Sequence, residues 1–117
     1  MNRTMVRNAL FLALALPVAA AAHHGWSEYD SGKPLKLTGK IVKSGYEHPH
    51  GHVVLEVPGK TWHVVLAPPS RMERRGLPTE MLKVGTTATV EGYPNRDKQE
   101  ELRAERITIN GKTVELR

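Results

Sequence analysis

Strand-forming segments separated by turns run through the chain after residue 34, and this pattern leaves few folds open to it. Apolar and polar residues alternate within these segments, which is typical of strands that bury one face. One short helical segment, residues 71–75, is expected to follow the N-cap Ser70 and to stop at Gly76. The predicted strands cover residues 35–46, 52–57, 60–66, 86–93, 102–109 and 112–117.

The order of these elements indicates the type of fold. Three strands, a short helix and two or three further strands are the element order of an OB-type barrel. The sequence therefore predicts a mainly β fold, a small OB-like barrel of five to six strands with one short helix between the third and fourth strands. An SH3-like barrel and a small open meander are the alternatives. Gly39 or Gly45, inside the first predicted strand, is the expected position of the bend or bulge that lets a small barrel close.

The second and third predicted strands flank Pro58-Gly59 and should form a hairpin. Pro in the first central position and Gly in the second are typical of a type II turn. If Val57 pairs with Lys60, His52 and His63 lie on one face of the hairpin as diagonal neighbours. The turn therefore predicts that these two imidazoles lie within reach of one another.

Residues 1–22 have the composition of a cleavable signal peptide. A positively charged start is followed by an apolar run too short to span a bilayer, and then by small residues. Cleavage after Ala22 would make His23 the new N-terminus, although cuts one or two residues earlier also fit. An uncleaved anchor or a buried core helix is the alternative. The chain is thus predicted to be periplasmic, with a signal peptide (1–22), an N-terminal arm (23–34) and an OB-like barrel domain (35–117).

Composition narrows the possible chemistry further. The chain contains no cysteine, so disulfides and thiolate metal sites are excluded. The formal net charge of +5 falls by two if Arg3 and Arg7 leave with the leader. A mildly basic exported protein is not expected to bind nucleic acid, and after cleavage it is not expected to associate with a membrane.

Histidines are the residues that most clearly suggest chemistry. Imidazole suits copper, zinc and nickel, and Cu(II) is the strongest divalent competitor for nitrogen ligands. The α-amine and ring of an N-terminal histidine could chelate one metal together, and further imidazoles could complete the site. The sequence therefore predicts a metal-binding protein, for copper first and for zinc or nickel as lesser options. The first-choice ligands are His23, His24 and His50, and the further candidates are His52, His63 and His48.

Other interpretations of the same residues stay open. The histidines could be solvated or could hydrogen-bond to the backbone. The alternative function is a non-enzymatic binding module for a carbohydrate, peptide or protein partner, without metal, that uses Trp26, Trp62 and basic side chains. Trp26 and Tyr29 are expected to fasten the arm to the barrel. Met72 and Met81 are expected to fill the core rather than to bind Cu(I).

The sequence carries no motif that indicates a standard enzyme. It has no nucleophile elbow, phosphate-binding loop or His-Glu-x-x-His segment. Glu47 and Glu56 could act as general bases, but nothing pairs them with a substrate site. Catalysis is therefore not predicted, and the one alternative is oxidation at an open copper position.

Several motifs resemble those of a family of small exported bacterial proteins of unknown function. Members begin, after the signal peptide, with Ala-His-His, Ser or Gly, and an aromatic residue, and they carry Asn-Pro-His after the first strand. The corresponding segments here are Ala22-His23-His24-Gly25-Trp26, Glu28-Tyr29-Asp30, His48-Pro49-His50 and Trp62-His63-Val64-Val65-Leu66-Ala67-Pro68-Pro69-Ser70. His48 replaces the usual Asn, which favours His50 as the shared residue. The resemblance implies a periplasmic OB-like barrel and no known activity.

Overall fold

The computed structural model describes residues 25–117. The predicted signal peptide and the histidines His23 and His24 lie outside these residues. The strands are β1 (Leu35–Gly45), β2 (His52–Val57), β3 (Lys60–Val65), β4 (Thr87–Pro94), β5 (Glu101–Ile109) and β6 (Lys112–Glu115). Helix α1 (Pro69–Arg74) lies between β3 and β4, and 3-10 turns form at Trp26–Glu28 and Thr79–Leu82.

Five strands close into a barrel. The strand order is β3-β2-β1-β4-β5-β6, and a parallel pairing of β3 with β5 closes the sheet on itself. In this pairing His63 lies opposite Glu101, and Val65 lies opposite Arg103. Strand β6 pairs with β5 outside the closed ring. The predicted OB-like barrel, with a short helix between its third and fourth strands, is confirmed.

The core fills the barrel because alternate strand residues point inward. Strand β2 shows this alternation, since Val53 and Leu55 are fully buried while their neighbours are not. Met72 of α1 is also fully buried, so the helix covers one end of the barrel. The larger core residues are Ile41, Leu55, Leu66, Met72, Leu77, Leu82, Leu102, Ile107, Ile109 and Leu116. Within residues 25–117, no helix has the length and apolar character that a membrane crossing requires.

Two local predictions were wrong in detail. The bulge in β1 is at Val42, between Ile41 and Lys43, and not at a glycine. A Cβ atom at Gly39 would collide with the carbonyl oxygen of Glu56, so this glycine permits a close backbone approach instead.

The helix also starts differently from the prediction. Pro68 is its N-cap, no side chain caps it, and Ser70 lies inside it. The predicted stop at Gly76 is confirmed, because its φ of +86° ends the helix.

Candidate functional site

The β2–β3 hairpin carries two histidines on its outer surface. The register pairs Val57 with Lys60 and His52 with Val65, as the turn predicts. Because Val53 and Val64 on the same strands are fully buried, His52 and His63 face away from the core. The predicted diagonal placement of the two imidazoles is therefore confirmed.

A third histidine joins this pair at the end of the hairpin. A shallow depression of about 290 Å³ is lined by His50, His52, His63, Pro49, Gly51 and Val65, and we call it the histidine depression. His48 is exposed and does not line it. The structure thus brings three of the predicted ligands to one surface and leaves His48 apart from them.

The absence of a side chain at Gly45 leaves space for the His52 ring. The two residues are register partners in the β1–β2 ladder. A Cβ atom at Gly45 would collide with the His52 ring and with the carboxylate of Glu47. Nδ1 of His52 lies 3.6 Å from Oε1 of Glu47, which supports the imidazole from the preceding loop. The orientation of His52 therefore depends on the absence of a side chain at residue 45.

Arg103 lies within hydrogen-bond distance of His50. Its Nη2 atom lies 3.3 Å from Nε2 of His50. Arginine only donates hydrogen bonds, so Nε2 accepts, and the proton of the neutral ring is then on Nδ1. Arg103 is only 7 % exposed, and this burial lowers the pKa of its guanidinium group. The parallel β3–β5 pairing brings this cation to the edge of the histidine depression.

Trp26 fastens the N-terminal arm at the same point. The centroid of its ring lies 4.3 Å from Cζ of Arg103 and 4.4 Å from Cζ of Arg117. Tyr29 and Tyr93 pack edge-on against the ring, with centroids 6.5 and 6.3 Å away. These contacts occupy the ring, so Trp26 fastens the arm and does not offer an open aromatic surface.

Tyr29 forms a second attachment of the arm. Its hydroxyl group donates to Oε2 of Glu101 at 2.6 Å, and Nδ2 of Asn95 donates to the same oxygen at 3.1 Å. Tyr29 is 7 % exposed, and burial followed by the bond to Glu101 raises its pKa. A backbone bridge between Tyr29 and Asn95 completes the attachment. The predicted role of Tyr29 as a fastening residue agrees with these contacts.

A cavity of about 230 Å³ lies beside this attachment, and we call it the charged cavity. It shares His50 and Val65 with the histidine depression. Sequence reasoning did not identify it, because most of its residues meet only through the β3–β5 pairing and the folded arm. Its lining comprises Glu28, Tyr29, His50, Val65, Lys98, Glu101 and Arg103.

The described residues do not form a complete metal centre by themselves. Within residues 25–117, no three His, Cys, Asp or Glu side chains are grouped closely enough to hold a metal ion. Met72 is fully buried, and Met81 packs against the core, as expected for space-filling residues.

Comparison with known protein families identifies the family of this chain. Residues 12–103 match the sequence model of DUF6152, a family of unknown function. The chain belongs to this family. The expected membership in an uncharacterised family is thus confirmed. No curated protein matches the chain.

Solved structures resemble this DUF6152 member in fold alone. A chain of the S. pombe Stn1–Ten1 complex matches with a TM-score of 0.54 and 16 % identity, over 68 % of this chain and 59 % of that one. TiaS in complex with a tRNA and ATP gives a TM-score of 0.50 at 21 % identity, over 76 % of this chain and 20 % of that one. TiaS in complex with a tRNA, AMPCPP and agmatine gives 0.51 at 17 % identity, over 69 % and 19 %. The chain thus spans about a fifth of TiaS and three fifths of the Stn1–Ten1 chain.

Proposed function

We propose that this chain is an exported periplasmic protein that binds copper. The ligands are His52 and His63 on the hairpin, together with His23 and His24 from the segment before the described residues. His50 is a further ligand. The observation that supports the proposal most directly is the attachment of Trp26 beside the histidine depression.

Chain connectivity supports a meeting of the two histidine groups. Trp26 contacts Arg103, and Arg103 contacts His50, which lines the histidine depression. In the sequence only Gly25 separates His24 from Trp26, which is why His24 is included among the ligands. A start of the mature chain at His23 would add an α-amine to the available ligands. Imidazole and amine nitrogens form the ligand set that Cu(II) prefers among divalent ions.

His50 can bind a metal only if its hydrogen bond with Arg103 breaks. Its Nε2 atom accepts a hydrogen bond from Arg103, and its Nδ1 atom carries the proton of the neutral ring. A metal at either nitrogen therefore requires the Arg103 contact to break. His52 and His63 carry no such restriction, so they are the primary ligands of the hairpin.

A Cu(II) titration of the processed protein tests the proposal, with mass spectrometry to identify the N-terminus. We expect a dissociation constant below about 1 μM. The H52Q/H63Q variant should bind at least about tenfold more weakly, with a changed electron paramagnetic resonance spectrum.

The matched control is H48Q, which changes an exposed histidine in the loop between β1 and β2 and should leave binding unaltered. A second comparison acetylates the α-amine of His23, which removes the amine ligand and should weaken binding. Micromolar or weaker affinity that none of these changes alters would rule out the copper site.

A second candidate is a non-enzymatic binding module. OB-type barrels bind ligands on the face formed by their second and third strands and by the loops between strands 1–2 and 4–5. The histidine depression and the charged cavity occupy this location, with His50 from the first of these loops and Lys98 from the second. Trp26 is enclosed by other side chains and Trp62 packs against the core. Such a module would therefore recognise its ligand mainly through charged side chains.

A further inference from the structure

We propose that the charged cavity binds the ammonium and carboxylate groups of a free α-amino acid. This assignment rests on the second candidate function, the binding module, and does not involve a metal. It follows from the charge, the burial and the neighbourhood of the cavity.

The charges that line the cavity are balanced. Arg103 and Lys98 supply two cations, and Glu28 and Glu101 supply two carboxylates, around a space of about 230 Å³. A simple anion would face two carboxylates, and a simple cation would face a guanidinium and an ammonium group. A ligand with an ammonium and a carboxylate group bonded to one carbon atom can pair with the carboxylates and with the cations of the cavity. An α-amino acid has this arrangement at a size suited to the space.

The polar groups of the cavity are held in place before a ligand arrives. Arg103 and Tyr29 are each only 7 % exposed. The ring of Trp26 contacts the Arg103 guanidinium, while Tyr29 and Asn95 both donate to Oε2 of Glu101. Fixed polar groups lose little conformational entropy on binding, and their charges interact more strongly away from water.

The adjacent histidine depression indicates which side chain the ligand carries. The cavity and the depression share His50 and Val65, so a ligand held in the cavity can extend its side chain into the depression. Pro49, Val65 and the imidazole rings present an apolar and aromatic surface there. An aromatic amino acid therefore fits better than glycine.

Isothermal titration of metal-free protein with L-phenylalanine tests this assignment. We expect saturable binding that weakens at least about tenfold for N-acetyl-L-phenylalanine, which lacks the ammonium charge, and for L-phenylalanine amide, which lacks the carboxylate. Glycine should bind more weakly than L-phenylalanine. E28Q should weaken binding, R103K should weaken it about tenfold through loss of the planar fork, and K36Q should leave it unchanged.

Two results would overturn the assignment. One is the absence of L-phenylalanine binding at about 10 mM. The other is equal binding of the acetylated or amidated derivative, which changes the ligand alone and so does not depend on any variant folding. A longer peptide that binds where free amino acids do not would retain the binding module but reject this ligand. The assay contains no metal, so its outcome is separate from that of the copper titration.

Discussion

Nη2 of Arg103 lies 3.3 Å from Nε2 of His50, so a buried cation on β5 donates a hydrogen bond to an imidazole in the loop before β2. The same imidazole borders both the histidine depression and the charged cavity. While Arg103 donates to it, His50 is suited to the cavity and not to a metal. The two proposed ligands therefore compete for one side chain.

Replacing Arg103 should release His50. We expect R103M to bind Cu(II) about threefold to tenfold more tightly than the wild type, because the guanidinium donor no longer occupies Nε2. The gain should disappear in the R103M/H50Q double variant, and a double-mutant cycle of copper titrations measures this coupling. An unchanged affinity in R103M would mean that the Arg103 contact does not limit metal binding. Circular dichroism and thermal unfolding of R103M check that the variant is folded.

Tyr29 should make the fold sensitive to alkaline pH. Its pKa is raised in the folded state above the ordinary value of about 10, chiefly by burial. The resulting stability is complete below pH 10 and is lost as the pH rises through the folded-state pKa. Y29F should therefore lose about 1 to 2 kcal/mol at neutral pH, because Glu101 loses a donor, and should decline less steeply above pH 10.

Urea denaturation at several pH values measures both effects. Y93F is the control, since that hydroxyl donates to Glu105 at a less buried position and its removal should cost less. Tyr46 and Tyr93 also have raised pKa values, so part of the alkaline decline should persist in Y29F. A Y29F variant with the full wild-type decline would contradict the role of Tyr29.

Two glycines of β1 should respond differently to alanine. In G39A the added Cβ meets the backbone carbonyl of Glu56, which cannot move without disturbing the ladder, so we expect a loss of about 2 to 3 kcal/mol. In G45A the obstacle is the ring of His52, which can rotate away, so the loss should stay below about 1 kcal/mol. Chemical denaturation measures both values, and imidazole NMR signals should report the displaced His52 ring. Equal losses would contradict this distinction.

Met72 should matter for packing and not for metal binding. It is a fully buried residue of α1, and M72A should cost about 2 to 5 kcal/mol through the cavity it leaves. M72L keeps the volume and should cost less than about 1.5 kcal/mol. Cu(I) binding by M72L should equal that of the wild type in a competition assay with a chromogenic chelator. A loss of Cu(I) affinity in this variant would show that the thioether reaches a metal.

The sequence predicts the parts of this structure that depend on local interactions. Pro58-Gly59 fixes the hairpin register, and the register alone places His52 and His63 on one face. The stop of α1 at Gly76 follows equally from a residue that tolerates positive φ. In each case the deciding residues are neighbours along the chain, so periodicity and turn chemistry suffice.

The charged cavity depends on contacts that no local pattern contains. Arg103 lies in a predicted strand without any sign that it is buried, and one of the residues that it contacts is Trp26, far away in the sequence. Glu101 and Tyr29 likewise meet across the chain, where β5 passes the arm. The sequence predicts the bulge at Gly39 or Gly45 and not at Val42, whereas the structure requires Gly39 for the close approach of Glu56. Non-local packing decides each of these features.

Because β3 pairs with β5, the barrel can close only after β5 has been synthesised. Val64 meets Leu102 in this ladder, so a nascent chain that has not reached β5 can form the first hairpin but cannot seal the ring. Until then β3 carries an unpaired edge, which other chains can recruit. Such distant pairing also closes slowly. Fragments that end before Glu101 are therefore expected to form open sheets that aggregate. In the complete chain, β5 pairs with the edge of β3 and closes it.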